Sequence, residues 1–517
     1  MIDLKNNKMS KIEDIQLNTK KENILVWLDF DAYSYVNFGI IIELAKLDKY
    51  NFIGVVTTKQ DMSFFENQEI LPFKKIIYYP NCYINKKNYN IENLKNFEKK
   101  FSLNLWMDIF SERSFYKYWT DFHKFSKEEI YSIVENSILF FINILNEYKP
   151  KLVLTQHIGE NISNLLLYKI AKNLNFKTLM PVPVHMHNKI IISNNLTGRE
   201  ISDEYKKLIK EFSNPLKDYD EKFIKNQSFF KTINIQFSYS NDNRNLFQKF
   251  NHYIDRLSND PEPIYKNIGK TKWNVIKFKI RNYFEIKKRK NFLDKNSEKS
   301  IKNEKFLYFP LQSEPEAKSL TTTPFYVNQI TLIENIAKAI PINFILYVKE
   351  HPIQKTKLWR SIEDYKKICN IPNVKLIHPN VNSQKVISKS QGLISVLGST
   401  GFETLFYKKP VILFAEDYYD KVSMVTKINS FFELNKKIEN ALNNYQFNNK
   451  EMNVLIQSFE NQTISVPYFS ILKDGIVISS IQRIENNFNL TIKYFKKFFE
   501  VHEQSFKLIA NEIYSKI

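Results

Sequence analysis

Glycine is scarce in this sequence, which contains only nine in 517 residues. Three of them, Gly392, Gly398 and Gly401, nevertheless lie within one stretch of ten residues. A sequence that uses so little glycine places it where the backbone needs a conformation or a close approach that a Cβ atom would prevent. The cluster therefore predicts a turn whose backbone geometry matters.

Cysteines and long apolar runs are also few. Cys82 and Cys369 are the only two cysteines, and their separation argues against a disulfide framework or a metal-ligand cluster. The longest apolar stretch, at 138–145, is far shorter than the roughly 20 residues that cross a bilayer. Residues 1–20 contain no apolar core of signal-peptide length. We therefore expect a cytoplasmic protein, with any membrane contact peripheral and on the inner face.

Negative charge is the minority sign. The chain has 55 Asp and Glu against 75 Lys and Arg, a formal net charge of +20. This excess favours polyanionic partners, but the abundance of Lys, Asn and Ile is equally consistent with a biased genome. No nucleic-acid-binding motif is recognisable, so we expect no nucleic-acid partner.

Hydrophobic residues make up 43% of the chain and aromatic residues 15%, which supports large buried cores. Buried-strand and helix patterns alternate over 21–200 and again over 303–465. Such alternation predicts parallel sheets covered by helices. The predicted fold class is α/β, with two Rossmann-like domains facing a cleft. We predict a polar tail at 1–20, a basic linker or insertion at 201–302, and a C-terminal helical segment at 466–517 that packs back on the first domain.

Chemistry-bearing residues follow one strand of the second domain at 398–403, which reads Gly-Ser-Thr-Gly-Phe-Glu. Small residues between a strand and a helix let a phosphate approach the helix N-terminus, where free N–H groups and the dipole favour an anion. Ser399 and Thr400 add hydroxyl donors, and Glu403 can accept hydrogen bonds from ribose hydroxyls. The alternative is an ordinary tight turn with an N-cap hydroxyl and a first-turn Glu.

A second element, Tyr-Val-Lys-Glu-His-Pro at 347–352, places charged groups at the C-terminal end of another predicted strand. Ligands of open α/β sheets bind at that edge. His351 can donate to a diphosphate, and Pro352 ends the strand. Taken alone, this element could equally be an ordinary loop that contains a histidine. Both elements, however, follow strands of one predicted sheet, which favours a shared ligand site.

Three segments together resemble the C-terminal half of GT-B glycosyltransferases that build bacterial capsules and surface polysaccharides. They are Phe-Pro-Leu-Gln-Ser-Glu-Pro-Glu at 309–316, Lys-Glu-His-Pro at 349–352, and the segment that runs from 398 to 411. The family includes Kdo transferases of capsule assembly and, less closely, polysialyltransferases and teichoic-acid glycerophosphotransferases. The resemblance covers residues 303–430.

The resemblance implies that His351, Ser399 and Thr400 bind the nucleotide phosphates and that Glu403 contacts the ribose or base side of the donor. The remaining candidate donor-binding residues are Lys349, Gly401, Glu314 and Glu316. The two glutamates either face the cleft or are solvated loop carboxylates. Lys349, His351 and helix amides can neutralise the leaving nucleotide, so we expect neither a metal nor a cofactor beyond the nucleotide-sugar co-substrate.

The first domain offers Thr-Gln-His-Ile-Gly-Glu at 155–160. It is similar to a Pro-His-x-Gly element of related surface-carbohydrate enzymes, except that Gln156 stands where Pro is common. His157 and Glu160 are the candidate catalytic residues, which would deprotonate an acceptor hydroxyl or stabilise the reacting sugar. A helix-capping or core role is the alternative for each.

Two other pairs carry weaker signals. Asp29 and Asp31 follow the first predicted strand and are lesser candidates for the catalytic base. His185 and His187 alternate as on a strand, but no third ligand accompanies them, which favours a structural role over a metal site.

Residues 270–290 interleave aromatic and basic side chains and include the run Lys-Lys-Arg-Lys at 287–290. Such a stretch predicts contact with an anionic membrane surface or, alternatively, a solvated basic helix.

These features predict a metal-independent glycosyltransferase that moves a sugar from a CMP- or UDP-linked donor onto a glycan or glycolipid acceptor of a capsule or lipopolysaccharide-type surface glycan. Two alternatives stay open. One is a UDP-sugar 2-epimerase of the same architecture, and the other is a nonenzymatic polysaccharide assembly or export factor.

Overall fold

The structure is a computed structural model. It describes residues 21–29, 32–116, 121–156, 159, 161–211, 264–314, 317–351, 354, 360–485 and 487–517. The predicted polar tail and half of the predicted linker lie outside these ranges. So do five residues singled out by the sequence, namely Asp31, His157, Glu160, Glu316 and Pro352.

Seven strands form the first sheet. They are β1 (Glu22–Leu28), β2 (Tyr50–Val56), β3 (Lys75–Tyr78), β4 (Leu152–Leu154), β5 (Thr178–Pro183), β6 (Lys189–Ser193) and β13 (Ile464–Ser465). Their spatial order is β3-β2-β1-β4-β5-β6-β13. The first five strands in this order run parallel, whereas β6 is antiparallel to both β5 and β13. The strand order reverses between β1 and β4, where doubly wound sheets open a ligand crevice.

Helices cover both faces of this sheet. They are α1 (Ala32–Ala45), α2 (Lys59–Asn67), α3 (Ile91–Lys100), α4 (Leu105–Phe110), α5 (Lys127–Tyr148), α6 (Ile162–Asn173) and α7 (Arg199–Glu211). Alternate β1 side chains enter opposite cores, with Val26 on the side of α1 and Trp27 on the side of α5. A strand buried on both faces has no polar alternation, which explains the unbroken apolar run of β1.

Six strands form the second sheet, and all of them are parallel. They are β7 (Phe306–Pro310), β8 (Ile345–Lys349), β9 (Val374–Ile377), β10 (Gly392–Ser395), β11 (Val411–Leu413) and β12 (Val425–Lys427). The spatial order β9-β8-β7-β10-β11-β12 repeats the reversal of the first sheet, here between β7 and β10. The predicted α/β class with two Rossmann-like domains is confirmed.

The helices associated with the second sheet begin in the predicted linker. They are α8 (Lys272–Asn296), α9 (Ala317–Thr321), α10 (Gln329–Ala339), α11 (Ile362–Cys369), α12 (Ser383–Lys389), α13 (Ser399–Phe406), α14 (Leu434–Asn443) and α15 (Asn449–Gln462). α7 also reaches this half, since the Tyr205 hydroxyl donates to Glu451 of α15 at 2.9 Å. The domain boundaries drawn from the sequence stay a prediction.

Two helices, α16 (Tyr468–Glu485) and α17 (Phe488–Ser515), form the predicted C-terminal helical extension. Both lie against α1, where the Phe506 ring would be 2.6 Å from a Cβ atom placed on Gly39. The close approach of α17 therefore requires glycine at this position. Across the described ranges, no helix combines the length and apolar character needed to cross a membrane.

Candidate functional site

Gly398 of the glycine cluster lies in the turn between β10 and α13, whereas Gly392 begins β10 and Gly401 lies in the first turn of α13. Gly398 has φ of +115°, a backbone conformation that residues with a Cβ rarely adopt. A Cβ atom on Gly401 would lie 2.2 Å from the Tyr419 hydroxyl oxygen. We call residues 398–401 the donor loop. Residues 399–401 of this loop form the first turn of α13, which has no side-chain cap from any described residue.

Three side chains from outside the loop fix its position. Asp417 accepts the Gly398 N–H at 2.7 Å, and the Tyr419 hydroxyl donates to the Gly398 carbonyl at 2.7 Å. Gln312, just beyond β7, donates to the Leu397 carbonyl at 2.8 Å and to the Ser395 hydroxyl at 3.1 Å. Gln312 thereby links β7 and β10 across the strand-order reversal of the second sheet.

Glu403 lies one turn into α13 and is 6% exposed. Both of its carboxylate oxygens are buried and have no hydrogen-bond partner among the described residues. Burial raises the pKa of Glu403 to about 8. A buried carboxyl group without a donor is costly, so this side chain has the environment of a group that a ligand completes.

The second predicted element ends β8 at Lys349, which is buried. The next residue, Glu350, accepts hydrogen bonds from Arg360 Nε at 2.7 Å and from the Tyr365 hydroxyl at 2.5 Å. Its other oxygen accepts the backbone N–H of His351 at 2.7 Å. The Glu350 carboxylate therefore fixes the backbone of the predicted phosphate ligand His351.

Glu314 is buried rather than solvated, with 5% of its surface exposed. Its carboxylate accepts a hydrogen bond from Gln329 and lies 4.0 Å from Arg360 Nη2. Although burial opposes it, the Glu350 and Glu314 carboxylates raise the pKa of Arg360. The sequence patterns did not single out Arg360, and Glu350 appeared only as the neighbour of His351. The one signal in the sequence for a role of Glu350 is its position between Lys349 and His351, which are both predicted donor-binding residues.

Glu314 and Arg360 line a cavity of about 890 Å³ between the two domains, which we call the interdomain cleft. Both domains contribute to its wall. The first domain supplies Asn104, Trp106, Met107, Phe110 and Tyr116, and the second supplies Phe325, Gln329, Glu334 and Lys367 among others. Arg360 Nη2 donates to the Gln312 carbonyl at 3.4 Å, and the Gln312 side chain contacts the turn before the donor loop. The cleft and the donor loop are thus neighbours.

At the strand-order reversal of the first sheet, the structure presents Asp29. This carboxylate is 2% exposed and accepts from the Thr57 hydroxyl at 2.8 Å, Asn161 Nδ2 at 3.3 Å and Gln156 Nε2 at 3.4 Å. Lys266 donates to Asn161 Oδ1 at 2.6 Å. Gln156, the departure from the family element, therefore contacts the lesser candidate base. The leading candidates His157 and Glu160 lie outside the described residues.

His185 and His187 occupy different environments. His187 is exposed, whereas His185 is buried and donates through Nε2 to Asp417 Oδ1 at 2.9 Å. In the described parts of the chain, no three His, Cys, Asp or Glu side chains form a group suited to a metal ion. The partner of His185 is thus the residue that binds the donor loop.

Arg289 does not belong to the exposed cationic run in which the sequence places it. It is 3% exposed, whereas Lys287, Lys288 and Lys290 are exposed. Burial lowers the pKa of Arg289, against the opposing effect of Tyr365 and Glu350. The basic run is therefore not uniformly exposed, because the helical repeat turns Arg289 toward the second sheet.

Residues 205–452 match a family model described as "Capsule polysaccharide biosynthesis protein". The match covers just under half of the chain. The matched region holds all six strands of the second sheet, the donor loop, Glu403 and the Glu350–Arg360 pair. The match therefore covers the half in which the sequence predicted the donor site.

Sequence comparison with curated proteins gives no match. Solved structures similar to the chain include UDP-GlcNAc 2-epimerase from Methanocaldococcus jannaschii, with 13% identity, 85% of this chain and 99% of that chain covered, and a TM-score of 0.24. The KpsC β-Kdo 2,7 transferase of Thermosulfurimonas dismutans has 12% identity, 64% and 87% coverage, and a TM-score of 0.31. A glycosyltransferase from Rickettsia africae ESF-5 has 13% identity, 90% and 99% coverage, and a TM-score of 0.27. Similarities this weak carry no argument about activity.

Proposed function

We propose that this protein is a glycosyltransferase of capsule polysaccharide biosynthesis, whose second domain binds a nucleotide sugar and whose first domain presents the acceptor. The observation that carries the proposal is Glu403, a buried carboxyl group with two unpartnered oxygens beside a glycine-shaped turn. Ribose hydroxyls are donors that complete such a group. The start of α13 supplies the amide groups and dipole that favour a phosphate.

The proposed division of labour follows the two sheet edges. In the second domain, the donor loop, His351 and Lys349 neutralise the phosphates of a CMP- or UDP-linked sugar, which makes a divalent metal unnecessary. In the first domain, the acceptor approaches the edge that holds Asp29. Closure of the interdomain cleft then aligns the acceptor hydroxyl with the anomeric carbon.

The reaction forms a bond between the acceptor oxygen and the anomeric carbon and breaks the bond from that carbon to the phosphate oxygen. The leaving nucleotide takes the bonding electron pair, and the acceptor proton passes to a base. Glu160 and His157 remain the proposed candidates for the base or for stabilising the reacting sugar, with Asp29 as the rival.

We propose that α8 holds the protein at the cytoplasmic face of an anionic membrane, close to a capsule-type glycan or glycolipid acceptor. Trp273 is 73% exposed and Tyr283 is 65% exposed. The aromatic-basic face of α8 consists of Trp273, Lys277, Ile280, Tyr283, Phe284, Lys287, Lys288 and Lys290, all exposed. Rings at the interface and cations near anionic headgroups both favour peripheral binding.

Both cysteines are free thiols, in keeping with a reducing compartment.

The first test is a thermal-shift screen of CMP- and UDP-linked sugars, since a ligand of the folded state raises the melting temperature with concentration. His351→Ala should lower donor affinity about ten- to a hundredfold, because a hydrogen bond to a charged group contributes roughly 1.5–3 kcal/mol. Glu403→Ala should lower donor affinity to a similar extent. Glu403→Gln should lower it less, because the amide oxygen still accepts a hydrogen bond. Unchanged donor affinity in both alanine variants would overturn the donor site.

The second test separates transfer from epimerisation. We expect the parent protein to consume the donor only when a glycan or glycolipid acceptor is present. An epimerase would convert or release the sugar without an acceptor, and an assembly factor would do neither. Glu160→Gln should keep donor affinity and lose transfer if Glu160 is the base. Parental transfer by this variant would exclude Glu160 as the base and direct attention to Asp29.

A further inference from the structure

One buried hydrogen bond joins the first domain to the residue that holds the donor loop of the second. His185 follows β5 of the first domain, and Asp417 follows β11 of the second. The His185 side chain is 10% exposed and that of Asp417 is 3% exposed, with His185 Nε2 2.9 Å from Asp417 Oδ1. Contacts this buried are well shielded from solvent and hold a defined geometry.

The Asp417 carboxylate divides its two oxygens between the domains. Oδ1 accepts one hydrogen bond from His185 Nε2 of the first domain and another from the Tyr418 N–H at 2.8 Å. Oδ2 accepts the Gly398 N–H at 2.7 Å. One rigid planar group therefore connects a first-domain imidazole to the residue with the positive φ angle that shapes the donor loop.

Aromatic packing holds this connection in place. The His185 ring lies 5.1 Å from the Tyr418 ring and 6.0 Å from the Tyr419 ring, measured between centroids. Tyr419 also donates to the Gly398 carbonyl. The loop residue Gly398 is thus bonded on its N–H side by Asp417 and on its carbonyl side by Tyr419, and both partners contact His185.

We propose that His185 is a positioning residue through which the first domain sets the conformation of the donor loop. This inference rests on the proposed function for the identity of the ligand, but the contact with Gly398 is independent of it. Without His185, the buried Asp417 carboxylate loses one of its donors and holds Gly398 less rigidly. The affinity for the donor would then depend on the first domain, even if the first domain makes no contact with the donor.

The experiment compares His185→Ala, His185→Gln and the matched control His502→Ala. His502 is also buried and donates to a carboxylate, Asp474, at 2.8 Å, but it lies on α17, away from the donor loop. Gln retains a donor near the position of Nε2, so His185→Gln should rescue what His185→Ala loses. Two readouts are measured on the full chain, amide hydrogen exchange of peptides spanning 396–406 without ligand, and affinity for the nucleotide sugars found in the screen.

We expect His185→Ala to lower exchange protection of 396–406 and donor affinity, each by about tenfold, as for loss of one buried hydrogen bond to a charged group. His185→Gln should stay within about twofold of the parent, and the His502 control should change neither readout. Unchanged protection of 396–406 in His185→Ala, or an equal loss in the control, would overturn the inference. If the parent binds no nucleotide sugar, the proposed function fails, and the exchange result still decides the role of His185.

Discussion

The Glu403 carboxyl group has a pKa raised by burial from 4.5 to about 8. Between these pH values the folded protein holds a proton that the unfolded chain has released, so the free energy of unfolding falls as pH rises through this window. Glu403→Gln removes the titration. We expect its stability to decline less between about pH 5 and pH 8, with a difference on the order of a few kcal/mol at the upper end. Urea unfolding of the parent protein and of Glu403→Gln across this pH range checks the prediction. If the free energies of unfolding of the two proteins changed with pH in parallel, the prediction would be contradicted.

Arg360 is the residue whose loss should damage the site most. It is 4% exposed and pairs with the fully buried Glu350 carboxylate at 2.7 Å. Removing one partner of a buried ion pair leaves an uncompensated charge and costs about 3–5 kcal/mol. We expect Arg360→Ala to lower the free energy of unfolding by that amount in chemical denaturation.

The matched control for Arg360 is Lys366→Ala on α11, where Lys366 pairs with Glu363 at 3.9 Å on the surface. An exposed pair of this kind contributes at most about 1 kcal/mol. A similar effect of both substitutions would show that Glu350 does not depend on Arg360.

At the scale of elements, α8 allows a test of membrane binding. Replacing Lys287, Lys288 and Lys290 with Gln should weaken binding to anionic vesicles by about 1 kcal/mol per charge, because each cation loses its attraction to the headgroups. Arg289 is left intact since it is buried. The control replaces the exposed Lys95, Lys99 and Lys100 of α3, which removes the same charge elsewhere. Vesicle co-sedimentation measures both, and equal losses would rule out a specific role for α8.

The sequence predicted most of the elements of the two sheets because local patterns specify them. The apolar run at 306–310 forms β7, and the helical apolar spacing at 327–339 forms α10, which begins two residues later at Gln329. β13 has only two residues, too few for any periodicity, and its pairing with β6 depends on contacts distant in sequence. The burial of Arg289 could in principle have been predicted from the sequence, because Leu293 lies one turn further on the same helix face and is also buried.

The predicted donor residues and the predicted turn were recognisable because they are contiguous in sequence. His185 and Asp417 are 232 residues apart, and nothing local to either residue indicates the other. The same holds for Asp29 and Asn161, which meet only because β1 and β4 are neighbours in the sheet. Long-range polar partners are therefore the part of the site that one sequence does not specify.

For the whole molecule, we predict that a chain ending at residue 462 retains the second sheet and loses the first. The truncation removes β13, α16 and α17, and uncovers the buried α1 face that includes Tyr35 and Phe38. Loss of so many buried apolar contacts should make the α1 and β1 amides exchange almost as fast as in an unfolded chain. Hydrogen exchange should still find β7 to β12 protected. Parental protection of β1 would contradict the prediction.

The return of the chain from the second sheet to β13 and α17 also governs the order of events during synthesis. The ribosome delivers β1 first, but the helices that cover α1 emerge only after more than four hundred further residues. Domains usually fold as they emerge, starting with the N-terminal one. Here the domain that is begun first is completed last, and until then the nascent chain carries an uncovered aromatic surface. Growing cells should therefore need a chaperone for this protein chiefly while it is still attached to the ribosome.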